Sequence, residues 1–247
     1  MQHSSSSRIY QEDLAYIHDA GFGDLARGAA PAIIDTLRSS GLTHGTVVEL
    51  GCGSGILLAS LLKAGYRVVG IDSSEQMLEL ARAKAPTADL RCESVYDSAL
   101  PPCLAVVATG EALNYETPGQ SNLDRLSSLV TRVFGALQNG GIFLFDAILR
   151  PPDTATQYKT WRTGADWAVL IEARQSDPDL IEKQIITFRR AGNNYRRNEE
   201  THFVRLFRRE AVEQLLIDSG FSVEIRAGYG TDRLLPGRRL FEARRPR

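Results

Sequence analysis

The stretch Thr46-Val47-Val48-Glu49-Leu50-Gly51-Cys52-Gly53-Ser54-Gly55 runs from an apolar, β-branched segment directly into three alternate glycines, and the leucine-rich residues 56–62 follow. A strand, a glycine turn and a helix in that order bring bare backbone amides to a helix start, where a ligand can approach them closely. The turn departs from the dinucleotide fingerprint G-x-G-x-x-G, which needs glycine where Ile56 stands. It also lacks the lysine of a phosphate loop. Glu49 would repel a polyphosphate, whereas its carboxylate suits a ligand carrying an ammonium and a sulfonium.

Outward from this turn, apolar β-rich runs alternate with helical patterns. Thr46–Leu50, Tyr66–Asp72, Ala88–Glu93, Cys103–Thr109 and Gly141–Leu149 read as five parallel strands, nearly continuous in apolar residues as strands buried on both faces should be. Between them, Ser54–Ala64 is a helix stopped by Gly65, and Glu75–Ala85 is one stopped by Pro86. Leu123, Leu126, Val130, Val133, Phe134 and Leu137 make a further helical stripe, with Ser121 as its cap. This pattern predicts an α/β fold with a doubly wound sheet. Two N-terminal helices, Tyr10–Ala20 and Leu25–Ser39, belong to a helical cap over residues 8–40. The cofactor-binding core spans 46–150. Residues 151–207 form an antiparallel insertion after the fifth strand, read as three strands: Trp167–Ile171, Leu180–Phe188 and Tyr195–Phe207. A helix, Arg209–Ser219, and strands at Phe221–Arg226 and Arg239–Arg244 complete the sheet over 208–247.

Asp72 ends the second strand 21 residues after Gly51, beside the glycine turn. A carboxylate there can accept both hydroxyls of a ribose, although Asp72-Ser73-Ser74 also reads as a helix cap. Val47–Gly55, Val69–Leu78, Gly110-Glu111-Ala112-Leu113-Asn114-Tyr115 and Gly140–Asp146 together resemble the successive motifs of the class I S-adenosylmethionine-dependent methyltransferases of small-molecule type, whose fold is Rossmann-like. The resemblance implies that Glu49, Gly51, Cys52, Gly53 and Gly55 surround the methionine moiety of S-adenosyl-L-methionine. It places Asp72 on the ribose, Ser73 and Met77 beside the adenosine, and Thr109 and Gly110 along the cofactor. Many relatives carry an acidic residue where this chain has Ser94; Ser94 could accept the adenine amino group instead, with Val95 and Tyr96 as apolar neighbours.

Methyl transfer is in-line displacement at an already activated carbon, so alignment and exclusion of water matter most, and a base is needed only for a protonated acceptor. Glu111, Asn114, Tyr115 and His202 are the candidate catalytic residues, with His18 as a further possible base. The chain lacks an Asn/Asp-Pro-Pro-Tyr motif after the fourth strand, which disfavours nucleobase methylation. Asp146 and Asn114 do not amount to a metal site. The resemblance implies that the insertion over 151–207 covers the substrate site; it offers Tyr158, Trp161, Trp167 and Tyr195 as walls, and Arg162, Arg196, Arg197, Glu199, Glu200, His202 and Arg205 as polar handles, for a small-molecule N or O acceptor. Aromatic residues at strand spacing equally suit a core. A nicotinamide-dependent oxidoreductase and a non-catalytic cofactor-binding module stand as alternatives.

The composition limits the partners. A net charge of -1 over 247 residues provides no general attraction to nucleic acid or to a membrane surface. The charge is uneven, -5 over residues 1–150 and +4 over 151–247. Cys52, Cys92 and Cys103 lack paired spacing, which argues against disulfides and zinc. Met1–Arg8 is polar and serine-rich, and no run approaches the ~20 apolar residues of a membrane span. A cytoplasmic protein is expected; its oligomeric state is left open.

Overall fold

The computed structural model describes residues 9–116, 122–151 and 157–247. Helices α1 (Glu12–Gly21) and α2 (Asp24–Ser39) precede β1 (Thr46–Leu50), α3 (Ile56–Lys63), β2 (Arg67–Asp72), α4 (Glu75–Lys84), β3 (Asp89–Cys92), β4 (Cys103–Ala108), α5 (Asn122–Ala136) and β5 (Leu137–Ile148). Next come β6 (Gln157–Thr163), β7 (Trp167–Asp177), β8 (Leu180–Ala191) and β9 (Asn194–Arg205). The chain ends with α6 (Arg209–Asp218), β10 (Ser222–Arg226), the short hairpin β11 (Gly228–Tyr229) and β12 (Asp232–Arg233), and β13 (Arg238–Arg244). The expected cap Ser121 lies outside the described residues.

Seven strands form one sheet in the order β10-β13-β5-β4-β1-β2-β3. β1 to β5 pair in parallel, and β13 is antiparallel to both β5 and β10. The chain therefore winds outward from β1 through β2 to β3, then returns to β4 on the other side of β1. The carboxyl ends of β1 and β4 flank the point where winding reverses, the place where such sheets open a crevice.

Period-2 alternation divides the core between the two faces. Val48, Leu50, Val106, Phe143 and Phe145 pack on one side with α5 and α6; Val47, Ala105, Val107, Ile142 and Leu144 pack on the other with α2 and α3. Every residue of β4 is buried, as its central position requires. Phe143, Phe145 and Phe241 stack across β5 and β13 with centroids 4.6 and 5.0 Å apart. Burial of each ring contributes about 2 kcal/mol.

Three details differ from the reading of the sequence. The first helix begins at Glu12, because Tyr10 has φ 54°, a left-handed conformation no helix can include. The insertion is a four-stranded antiparallel sheet, β6-β7-β8-β9, rather than three strands. β6 is exposed along its whole length, so Gln157–Thr163 carries no apolar alternation to reveal it. The hairpin β11–β12 was not anticipated either; two-residue strands are too short for a periodic signal.

The insertion sheet packs on α1. Leu14 and Ile17 of α1 meet Trp167, Val169 and Ile185, and a Cβ at Gly21 would stand 2.6 Å from the Trp167 ring. None of the described helices is long and apolar enough to cross a membrane.

Candidate active site

The glycine loop takes its shape from backbone freedom. Gly51, Gly53 and Gly55 have φ of 70°, 51° and 79°, conformations costly for any other residue. A Cβ at Gly51 would lie 2.5 Å from the Ala112 Cβ, so glycine there also lets the loop after β4 close against the loop after β1. Gly51 and Cys52 donate their N–H groups to the Ile71 carbonyl at 2.8 and 3.0 Å, tying the loop to β2.

A cleft of about 960 Å³ opens over this loop. Glu49, Gly51, Cys52, Gly53, Asp72, Ser73, Met77, Ser94, Val95, Thr109 and Gly110 all line it. Gly55 does not; it caps α3 one turn behind, where a Cβ would press on Ala81 at 2.9 Å. The Asp72 carboxylate accepts the Gly53 N–H at 2.8 Å on one oxygen and the Ser74 N–H at 2.9 Å on the other. The carboxylate can still accept a further hydroxyl. The cap of α4 is Ser74, whose hydroxyl accepts the Met77 N–H at 3.2 Å, so Asp72 does not serve as the helix cap.

Glu49 is buried, and its Oε2 has no hydrogen-bond partner. Burial, reinforced by the Asp72 charge, holds its carboxyl well above the usual carboxylate range. Burial likewise raises Asp72, against the pull of the Ser74 and Gly53 amides. A buried acid with one unpartnered oxygen beside a bare glycine loop fits a cationic ammonium, and a carboxylate at the cleft wall that can still accept fits a ribose hydroxyl. These residues therefore match S-adenosyl-L-methionine.

Ser94 departs from its expected role. Its hydroxyl already accepts the Tyr96 N–H and an Arg125 N–H, each at 3.2 Å. With both lone pairs engaged, it can donate to an adenine nitrogen but is not placed to accept from the amino group. Tyr96 is buried, and its hydroxyl donates to the Leu113 carbonyl.

The proposed catalytic residues separate into two groups. Glu111 and Tyr115 line the cleft; Asn114 and His202 do not. Asn114 is fully buried, accepting the Ile148 N–H at 3.0 Å while its amide donates to the carbonyls of Ile148 and Arg205. It joins three chain segments and, fully buried, lies outside the cleft lining. His202 is also buried; its Nε2 meets Glu200 at 2.9 Å, and its ring packs against Tyr10 and Tyr115.

Glu111 has φ 65°, a strained conformation held by Asp146, which accepts the Gly110 N–H at 2.8 Å and the Glu111 N–H at 3.3 Å. Its own carboxylate receives Lys183 at 2.7 Å, Arg238 at 2.7 Å and the Tyr115 hydroxyl at 3.3 Å. Burial would raise its pKa, but Lys183 and Arg238 outweigh burial and hold it below the usual range. Glu111 is thus a fixed counter-charge and a weak base. Burial pushes the Tyr115 phenol well up, which keeps it neutral.

The insertion contributes Phe203 alone to the described lining. Trp161 is 75% exposed and Tyr158 and Tyr195 are also exposed, while Trp167 packs on α1; none of the four walls an acceptor. Arg196 pairs with Asp13, and Arg205 pairs with Glu116 at 2.7 Å. In their place, the cleft is lined by Tyr10, His18 and Phe22, and by Arg233 of β12 with Leu234 and Leu235 just after it. His18, near the end of α1, is among the candidate bases; sequence patterning gives little sign of the others, which reach the cleft from the ends of α1 and β12.

Residues 47–141 match a family model described as a methyltransferase domain. A putative methyltransferase of Bacillus subtilis is 28% identical over 199 residues, covering 72% of this chain and 74% of that protein. The crystal structure of an S-adenosylmethionine-dependent methyltransferase from Clostridium acetobutylicum has a TM-score of 0.78 at 20% identity, covering 94% of this chain and 98% of that one. A sugar N-methyltransferase from Streptoalloteichus reaches 0.77 at 18% identity, with both chains covered in full, 100% each. Residues 47–141 thus form a methyltransferase domain, and the chain as a whole has the fold of S-adenosylmethionine-dependent methyltransferases.

Proposed function

We propose that the protein methylates an amine or hydroxyl of a small molecule bound in the cleft, with His18 taking the proton. The observation that carries this reading is that one cleft of about 960 Å³ brings Glu49 and Asp72 together with Tyr10, His18, Phe22 and Leu234. A cleft of that size has room for a small organic acceptor beside the cofactor. The fold shared with a sugar N-methyltransferase supports the same class of acceptor.

When bound, S-adenosyl-L-methionine supplies an electrophilic methyl group. Glu49 would orient its ammonium, Asp72 its ribose, and Met77 and Val95 the adenine face. Gly110 and Glu111, positioned by Asp146, would form the floor between cofactor and acceptor. Burial lowers the His18 pKa to about 4, so its imidazole is neutral near pH 7 and a weak base, which takes up the proton only as the acceptor becomes acidic on gaining the methyl group. The apolar walls exclude water.

Calorimetry tests the cofactor assignment. S-adenosylhomocysteine should bind with micromolar affinity or better, on the order of -8 kcal/mol, and NAD(H) should not. A screen of amines, sugars and phenols with homocysteine detection then identifies the acceptor. Tight NAD(H) binding with no response to the thioether would overturn the reading.

A further inference from the structure

The carboxylate of Glu200, on β9, is buried and directed at the start of the first helix. It accepts the Tyr10 N–H at 2.7 Å, the Gln11 N–H at 2.9 Å and a hydrogen bond from His202 Nε2 at 2.9 Å. Gln11 occupies the cap position of α1 and makes no side-chain cap of its own. Glu200 therefore stands at the positive end of α1 from another element, where a carboxylate is favoured. On the other side, the Ser74 hydroxyl donates to the Tyr10 carbonyl at 2.8 Å. Ser74 follows Asp72 by two residues and caps α4.

Both backbone groups of Tyr10 are thus held by side chains from opposite banks of the cleft, and its φ of 54° is strained. A strained residue persists only where its surroundings over-determine it. The result is specific: the Tyr10 side chain lines the cleft, and its hydroxyl meets that of Tyr115 at 2.7 Å.

We infer that Glu200 is a positioning residue, the latch by which the insertion sheet holds the Tyr10–Gln11 strap closed across the cleft, and that its release sets the rate at which the cofactor is exchanged. The insertion then serves the reaction through the strap as well as through Phe203, its one residue in the described lining of the cleft. Its second part rests on the assignment of S-adenosyl-L-methionine to this cleft. The strap itself does not.

Glu200→Gln keeps the size of the side chain and one oxygen but loses the charge and the second acceptor. Amide hydrogen exchange on the cofactor-free variant should accelerate over residues 9–14 by about tenfold, the loss of roughly one charge-assisted hydrogen bond. Exchange in β7 and β8 should not change. Stopped-flow release of S-adenosylhomocysteine should accelerate by a similar factor, while Glu199→Gln, on the opposite face of β9, changes neither. Unchanged exchange over 9–14 would overturn the latch, as would acceleration spread evenly over β7 and β8, which would make Glu200 a general support of the sheet. Faster strap exchange with unchanged thioether release would overturn the role in cofactor exchange. If the wild-type protein binds no thioether at all, the cofactor assignment fails, and the exchange data still judge the strap.

Discussion

An imidazole in the wall of a cleft is a base at every pH above its own pKa, and for His18 burial brings that value from 6.5 to about 4. The neighbouring Glu111 charge opposes this shift without cancelling it. Between pH 6.5 and about 4 the unfolded chain takes up a proton that the folded protein refuses, so His18 contributes stability that is present above that window and is lost as pH falls through it. If His18 takes the acceptor proton, the acid limb of kcat/KM should lie nearer 4 than 6.5. His18→Gln should lower kcat/KM by about 100-fold at neutral pH and leave S-adenosylhomocysteine affinity unchanged. Full activity of this variant on an identified acceptor would remove His18 from the mechanism.

Between elements, Asn114 joins the end of β5, the end of β9 and the loop that carries Glu111. Its side chain answers one buried N–H and two carbonyls. Asn114→Ala would leave these groups without partners, at a cost of about 3 kcal/mol. For a chain of this size the melting temperature should fall by about 10 °C. Calorimetric affinity of the folded fraction for S-adenosylhomocysteine should stay as in wild type. Normal thermal stability with a selective loss of turnover would instead return Asn114 to the catalytic group. The edge strand β9 also accepts the Glu116 N–H through the Phe203 carbonyl at 2.9 Å. Insertion and core are therefore continuous at this edge, and the placement of Phe203 in the cleft wall depends on their docking.

Over the whole molecule, the cofactor cradle concentrates acids that folding disfavours as anions. Glu49 and Asp72 both have folded pKa values raised by burial, from 4.5 and 3.8. For each, the folded state binds its proton more tightly than the unfolded state, so stability is fully present below the unfolded value and is lost as pH rises through the folded one. A cationic ammonium beside Glu49 would favour the anion and cancel part of that loss. The thermal shift produced by S-adenosylhomocysteine should therefore grow along a pH series rising from about 4.5. A shift independent of pH would mean that the ammonium is not held by Glu49. His18 has the opposite slope, so the difference between free and bound protein, rather than the free protein alone, isolates the two acids.

Sequence alone determined the five parallel strands, the glycine loop and the pairing of Glu49 with Asp72, because each is written locally: apolar runs of strand length, glycines at required left-handed positions, acids at strand ends. Every proposed cofactor residue except Gly55 lines the cleft, since in this topology the strand ends and the turns after them converge at one sheet edge. Gly55 serves the same loop from behind. The rest of the cleft was decided by tertiary structure. Tyr10 and His18, Phe203, and Leu234 come from three separate parts of the chain, and their meeting depends on α1 packing against the insertion and on the strained turn at Tyr10. Chemical type could not separate Asn114 and His202 from Tyr115, because a polar side chain near an active-site loop reads alike whether it faces a ligand or a buried carbonyl. Only the packing of β9 against residues 111–116 settles which way each one turns.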